Sequence, residues 1–227
     1  MRVGLLVPSS NTVMERDFHH ALPRHVTVVT ARMLLESVEP DAEEVMLREH
    51  APRAAETVGT AAPDLVVFGC TSASALLDDS GESRLCRELS AAAGAPTISL
   101  IGAVRSALQR RAPRAVAVFT PYVDELTRRI AASIEAAGQV VVSAVGLGIT
   151  ENLRIGAVEP DDLVRLARER VATAGADLVF VSCTNLRALE AREALERSLG
   201  VPVLTSNQAA LEEVACRLRL GPLWPEG

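Results

Sequence analysis

The chain has 227 residues, 48% hydrophobic and only 3% aromatic, enough for one large domain or two small ones with Ala, Val and Leu doing most of the packing. All 23 basic residues are Arg, and the absence of Lys excludes a Schiff-base lysine, hence pyridoxal-phosphate chemistry, and a Walker-type phosphate loop. A net charge of −6 argues against a nucleic-acid or acidic-membrane surface, and His19, His20, His25 and His50 lack the spacing of metal ligands or of a His-centred triad.

The predicted elements alternate along the chain. The apolar run Val3–Val7 predicts a strand, and Pro8-Ser9-Ser10-Asn11 opens a helix to about His20. Val26–Thr30 is a strand, Ala42–Ala61 a helix, Leu65–Gly69 a strand and Ser83–Ala93 a helix. Thr97–Ile101 is a strand, followed by a helix over Ala103–Arg111. Strand Ala115–Phe119, helix Val123–Ala137, strand Val140–Val145 and helix Asp161–Ala174 come next. Strand Leu178–Ser182, helix Ala188–Leu199, strand Val203–Thr205 and helix Gln208–Leu218 complete the series. Short apolar runs between longer helices predict an α/β fold with parallel sheets covered by helices on both faces. The apolar run before Pro8 is too short for a signal peptide, and no stretch of about 18 apolar residues predicts a membrane span. Cys70, Cys86, Cys183 and Cys216 form no C-x-x-C, so the expectation is a cytoplasmic protein with free thiols, no metal and no cofactor.

The chain also repeats itself. VVFGCTSASAL around Cys70 matches VFVSCTNLRAL around Cys183 at an offset of 113, and Pro8 with Pro121 and Asp64 with Asp177 share that offset. GAPTISL from Gly94 matches GVPVLTS from Gly200 at 106, and VEPDAEE from Val38 matches VEPDDLV from Val158 at 120. The expectation is two pseudo-symmetric, doubly wound halves, 1–105 and 106–227. Each has a four-stranded parallel sheet flanked by helices, and the active site lies between them.

Ligands in such sheets bind outside the carboxyl ends of the strands. Four strand ends carry reactive or hydrogen-bonding groups: Ser9-Ser10-Asn11, Cys70-Thr71-Ser72, Tyr122, and Cys183-Thr184-Asn185. A free Cys is most often a small buried hydrophobe; the repeat lifts Cys70 and Cys183 above that reading. A thiol on each face of a bound molecule suits two-sided proton exchange, or addition to an electron-poor double bond. Both need a thiolate, which nearby backbone N–H groups at a strand-to-helix junction favour. Those N–H groups, with Thr71, Ser72, Thr184 and Asn185, can also bind a carboxylate, and Ser9, Ser10 and Asn11 a second one. Asn11 reads equally as a helix cap, and Asn152, in GITENL, as a turn residue. Cys86 and Cys216 read as helix packing.

Paired strand-end cysteines followed by Thr resemble the aspartate/glutamate racemase superfamily. VPSSNTVME, FTPYVDEL, GITENL and SCTNLRAL are similar, over essentially the whole chain, to its branch of maleate cis-trans isomerases and arylmalonate decarboxylases. That resemblance implies a site of Asn11, Cys70, Tyr122, Asn152 and Cys183, in which the first Cys attacks substrate and the second manages a proton. The cysteine motifs GCTSASAL and SCTNLRAL are closer to members associated with ectoine degradation than to the A-C-x-V-A and A-C-V-Q-M-P of maleate isomerases. Arylmalonate decarboxylases keep only the second Cys, so Cys70 points away from plain decarboxylation. The expectation is a homodimeric, cofactor-independent isomerase of a small carboxylate, maleate isomerase-like. The rivals are an aspartate/glutamate-type or ectoine-derived amino-acid racemase, an arylmalonate decarboxylase-like enzyme, and a non-catalytic carboxylate-binding protein.

Overall fold

In the computed structural model, which describes residues 1–224, the chain forms two four-stranded parallel sheets. The first contains β1 (Arg2–Pro8), β2 (Thr27–Met33), β3 (Leu65–Phe68) and β4 (Thr97–Ser99), in the order β2-β1-β3-β4. The second contains β5 (Ala115–Thr120), β6 (Val140–Gly146), β7 (Leu178–Val181) and β8 (Val203–Thr205), in the order β6-β5-β7-β8. Central strands β3 and β7 are buried along their whole length, which is why LVVF and LVFV run apolar without alternation. Edge strand β6 alternates instead, leaving Val140 and Val142 exposed.

The chain moves from β1 to β2 on one side, then returns to pair β3 on the other side of β1. Strands β5, β6 and β7 repeat the manoeuvre. Loops diverge at such a reversal and leave a crevice at the carboxyl ends of the two central strands. The loops after β1, β3, β5 and β7 therefore meet where the candidate residues lie.

The helices are α1 (Met14–Ala21), α2 (Pro40–Val45), α3 (Ala51–Gly59), α4 (Thr71–Ala75), α5 (Asp79–Ala93) and α6 (Leu100–Arg111), then α7 (Asp124–Ala136), α8 (Asn152–Gly156), α9 (Pro160–Arg170), α10 (Ala188–Leu199) and α11 (Ser206–Leu218). Helix α6 carries the chain across 105/106 and packs on α11, where Arg111 pairs with Glu212 at 2.5 Å. Leu211 and Val214 of α11 join the core formed by β1 and α1. Residues 225–227, the end of the expected second half, lie outside the described residues.

Several boundaries differ from expectation. Pro8–Asn11 opens no helix: residues 9–10 form a turn, and α1 starts at Met14, capped by the Asn11 side chain. The expected helix over 42–61 is α2 and α3 joined by a π turn, Met46–His50. Strand β2 continues to Met33 because its backbone pairs β1 as far as Pro8. Helix α9 stops at Arg170, with Val171 already extended. Among the described residues, no helix is long and apolar enough to cross a membrane.

Candidate active site

Strand β3 delivers Cys70 through Gly69, whose N–H bonds the Leu6 carbonyl at 2.7 Å. Any Cβ at Gly69 would lie 2.6 Å from Met14 Sδ and 2.8 Å from Leu6 O, so this close crossing demands glycine. Cys70 has an extended backbone and stands at the N-cap of α4. Cys183 differs, with φ of +109°, which side-chain-bearing residues rarely adopt and which costs about 1–3 kcal/mol. Its N–H donates to Ser206 Oγ at 3.1 Å, and Asn185 N–H donates to the Cys183 sulfur at 3.3 Å. Ser206 Oγ also accepts from the Thr71 hydroxyl at 3.0 Å, so one side chain of α11 ties the two cysteine turns together.

Buried polar groups tie distant segments of the chain together at this point. Asn11 Nδ2 donates to Thr184 Oγ1 at 2.9 Å, and the Thr184 hydroxyl donates to the Gly69 carbonyl at 3.0 Å. Thr12 N–H donates to Asn185 Oδ1, Asn185 Nδ2 to the Asn152 carbonyl, and Asn152 Nδ2 to Ser10 Oγ. Ser9 Oγ accepts from Leu35 N–H at 3.2 Å.

Both cysteines line one small cavity of about 10 Å³, room for a single water at most. Asn11, Thr71, Ser72, Tyr122, Asn152 and Thr184 line it with them, whereas Ser9, Ser10 and Asn185 stand behind that layer. Leu35 and Val38, from the segment after β2, line the cavity too, and Val38 N–H bonds the Thr150 carbonyl at 2.8 Å. Cys86 is half-buried on α5; Cys216 is exposed on α11, contrary to the packing role read from its neighbours.

One ionisable lining residue escaped the sequence reading. Glu43 on α2 is fully buried, its Oε1 accepts a short hydrogen bond from the Ser72 hydroxyl, and its Oε2 has no partner. The repeat carried the signal: at the offset of 120, Glu43 falls opposite Leu163, an equally buried core residue.

No Arg, Lys or His lines the cavity, and burial governs its protonation. Burial pushes the Glu43 carboxyl up to about 8, with the Ser72 hydrogen bond opposing. The Cys70 thiol rises well above its usual range, through burial first and the Glu43 charge second. Cys183 rises to about 11 by burial, opposed by the Tyr122 hydroxyl and by the Asn185 and Leu186 N–H groups. Burial likewise holds Tyr122 protonated. Burial thus favours the neutral form of both thiols and leaves Glu43 as the carboxyl raised to about 8.

Residues 3–223 match the family described as arylmalonate decarboxylase. The chain belongs to that family. Within it, the chain is 26% identical over 232 residues to a maleate isomerase of Geobacillus stearothermophilus, covering 96% of this chain and 92% of that one. It is 27% identical over 208 residues to an arylmalonate decarboxylase of Bordetella bronchiseptica, covering 91% and 86%. Among solved structures, the Nocardia farcinica maleate cis-trans isomerase, as a cysteine-to-serine mutant with a covalently bound succinylcysteine intermediate, shares the fold with a TM-score of 0.87 at 24% identity, covering 96% and 92%.

Proposed function

We propose that the protein is a cofactor-independent isomerase of a small carboxylate, acting by two-cysteine chemistry of the maleate isomerase type. The observation that carries this reading is the placement of Cys70 and Cys183, one from each of the proposed halves 1–105 and 106–227, on one small cavity. Family membership and the maleate isomerase relatives support it.

In this reading Cys70 adds to one olefinic carbon of a cis-unsaturated dicarboxylate. The π pair moves to the neighbouring carbon, which takes a proton from Cys183. The resulting single bond rotates, Cys183 removes a proton, the C–S bond breaks, and the trans olefin leaves. The Asn185 and Leu186 N–H groups and the Tyr122 hydroxyl face the Cys183 sulfur while it is charged. Asn11 and Asn152, each with a second amide N–H, offer neutral donors to the carboxylates; Thr71, Ser72 and Thr184 line the cavity around them, with Ser9, Ser10 and Asn185 behind. The succinylcysteine of the Nocardia protein is the kind of adduct such an addition leaves.

The second reading is a racemase of an amino acid, including one derived from ectoine. Thiols contributed by both halves to one cavity are also what removal and return of a Cα proton from opposite faces requires. A substrate panel in D₂O followed by NMR separates the readings. Maleate converted to fumarate supports isomerisation. Deuterium at Cα with inversion supports racemisation, and loss of CO₂ from an aryl malonate supports decarboxylation.

A further inference from the structure

Glu43 is the buried ionisable group that the reaction above leaves idle. Resting on that reading, we infer that Glu43, reached through the Ser72 hydroxyl, accepts the Cys70 proton as the Cys70 sulfur bonds to substrate.

Three observations converge on it. The first is a continuous chain of contacts: Cys70 Sγ lies 3.6 Å from Ser72 Oγ, and the Ser72 hydroxyl donates to Glu43 Oε1. A hydroxyl can take a proton from the thiol while passing its own to the carboxylate. The second is the cavity's composition. It contains no cation to hold a free thiolate, and burial disfavours one, so the proton must leave as the C–S bond forms and must pass to a group in contact. Glu43 is the one carboxylate on the cavity wall; the other side chains there are amides, hydroxyls, thiols and hydrocarbons. The third is the repeat. Leu163 fills the matching position of the second half, so packing needs no carboxylate there, whereas Asp41 and Glu44 of the same helix face solvent. The π turn that begins at Met46 follows directly, and such turns concentrate at functional sites.

The proton balance closes. In the ionised form of the protein, the form that reacts, Glu43 ends protonated and the Cys70 thiol ends as a thioether. The olefin π pair takes the Cys183 proton, which leaves Cys183 as a thiolate. After rotation every transfer reverses, and Glu43 returns its proton to Cys70 through Ser72. A base titrating at about 8 is well matched to this task.

The test is alkylation of the full-length protein with iodoacetamide, with Cys70 and Cys183 followed separately by peptide mass spectrometry from pH 6 to 10. It needs no substrate, so it judges the relay independently of the isomerase reading. The titratable groups facing Cys70 are Glu43 on α2, Cys183 after β7 and Tyr122 after β5; burial keeps the last two protonated through most of that range. In the unsubstituted protein the Cys70 rate should rise with pH to a midpoint near 8. In Glu43→Gln, and in Ser72→Ala with Glu43 intact, Cys70 at pH 8 should react at least about 10-fold more slowly, while Cys183, whose thiol the Glu43 charge also raises, should be no slower and so controls for access. A Glu43 that were only a buried charge would do the opposite, because its removal would make Cys70 easier to ionise. Equal or faster Cys70 alkylation in either variant overturns the proposal, as does parallel slowing at both cysteines. Should Glu43→Gln not fold, Ser72→Ala carries the same comparison.

Discussion

Burying Glu43 makes the fold's stability depend on pH in an unusual direction. Its carboxyl titrates at about 8 in the folded protein against an ordinary 4.5. Between those values the folded state keeps a proton that the unfolded chain has lost, so stability falls as pH rises. The contribution is fully present below pH 4.5 and is lost by the time pH has passed 8. At about 1.4 kcal/mol per pH unit over the interval from 4.5 to 8, the loss reaches about 5 kcal/mol. Glutamine at position 43 preserves the acceptor for Ser72 and removes the titration. Urea unfolding of the unsubstituted protein and of Glu43→Gln at pH 5, 7 and 9 isolates the effect, because every other titration cancels in the difference. The two should agree near pH 5, differ by about 3 kcal/mol at pH 7 and differ by several kcal/mol at pH 9, with the glutamine variant more stable. A stability difference that does not change with pH would refute the reasoning.

Other expectations rest on single contacts. Gly69→Ala drives a methyl into Met14 Sδ and the Leu6 carbonyl and should lower stability by at least about 2 kcal/mol, read from the urea midpoint. Asn11→Ala removes the acceptor for Val13 and Met14 N–H and the donor to Thr184, and should cost about 2–3 kcal/mol in the same assay. A cavity of about 10 Å³ admits no dicarboxylate until the segment bearing Leu35 and Val38 moves. Amide hydrogen exchange at Val38, whose N–H bonds Thr150, should therefore slow when maleate saturates the protein.

The α/β architecture and the cysteine pair were legible in the sequence because both are written in local pattern. Apolar runs such as LVVF and LVFV mark central strands, and the 113-residue offset aligns Cys70 with Cys183 on equivalent strand ends. Features set by contacts between distant segments were not legible. Glu43 follows Pro40 and Asp41 in the first turn of a helix, where acids usually face water, and its burial beside Ser72 of α4 comes from a segment distant in the chain. Ser206 likewise gains its role from Thr71 and Cys183, neither of them near it in the chain. Asn11 was readable as cap or ligand; the structure uses its Oδ1 to cap α1 and its Nδ2 to hold Thr184, at the wall of the cavity. The bond from Val38, at the cavity wall, to Thr150 joins segments far apart in the chain, which no periodicity announces.

Intact-protein and peptide mass spectrometry of Cys183→Ala incubated with maleate tests the central claim most directly. With the opposing thiol gone, addition can occur while the proton-linked step stalls, so a species heavier by one maleic acid should accumulate on Cys70, and Cys70→Ala should form none. Because residues acting as a unit are not additive, the double variant should turn over little worse than Cys70→Ala alone. An adduct carried by Cys183 in Cys70→Ala, with none on Cys70 in Cys183→Ala, would contradict the assignment. The absence of any adduct, together with one-sided Cα deuterium exchange of an amino acid in each single variant, would contradict the isomerase account and favour the racemase.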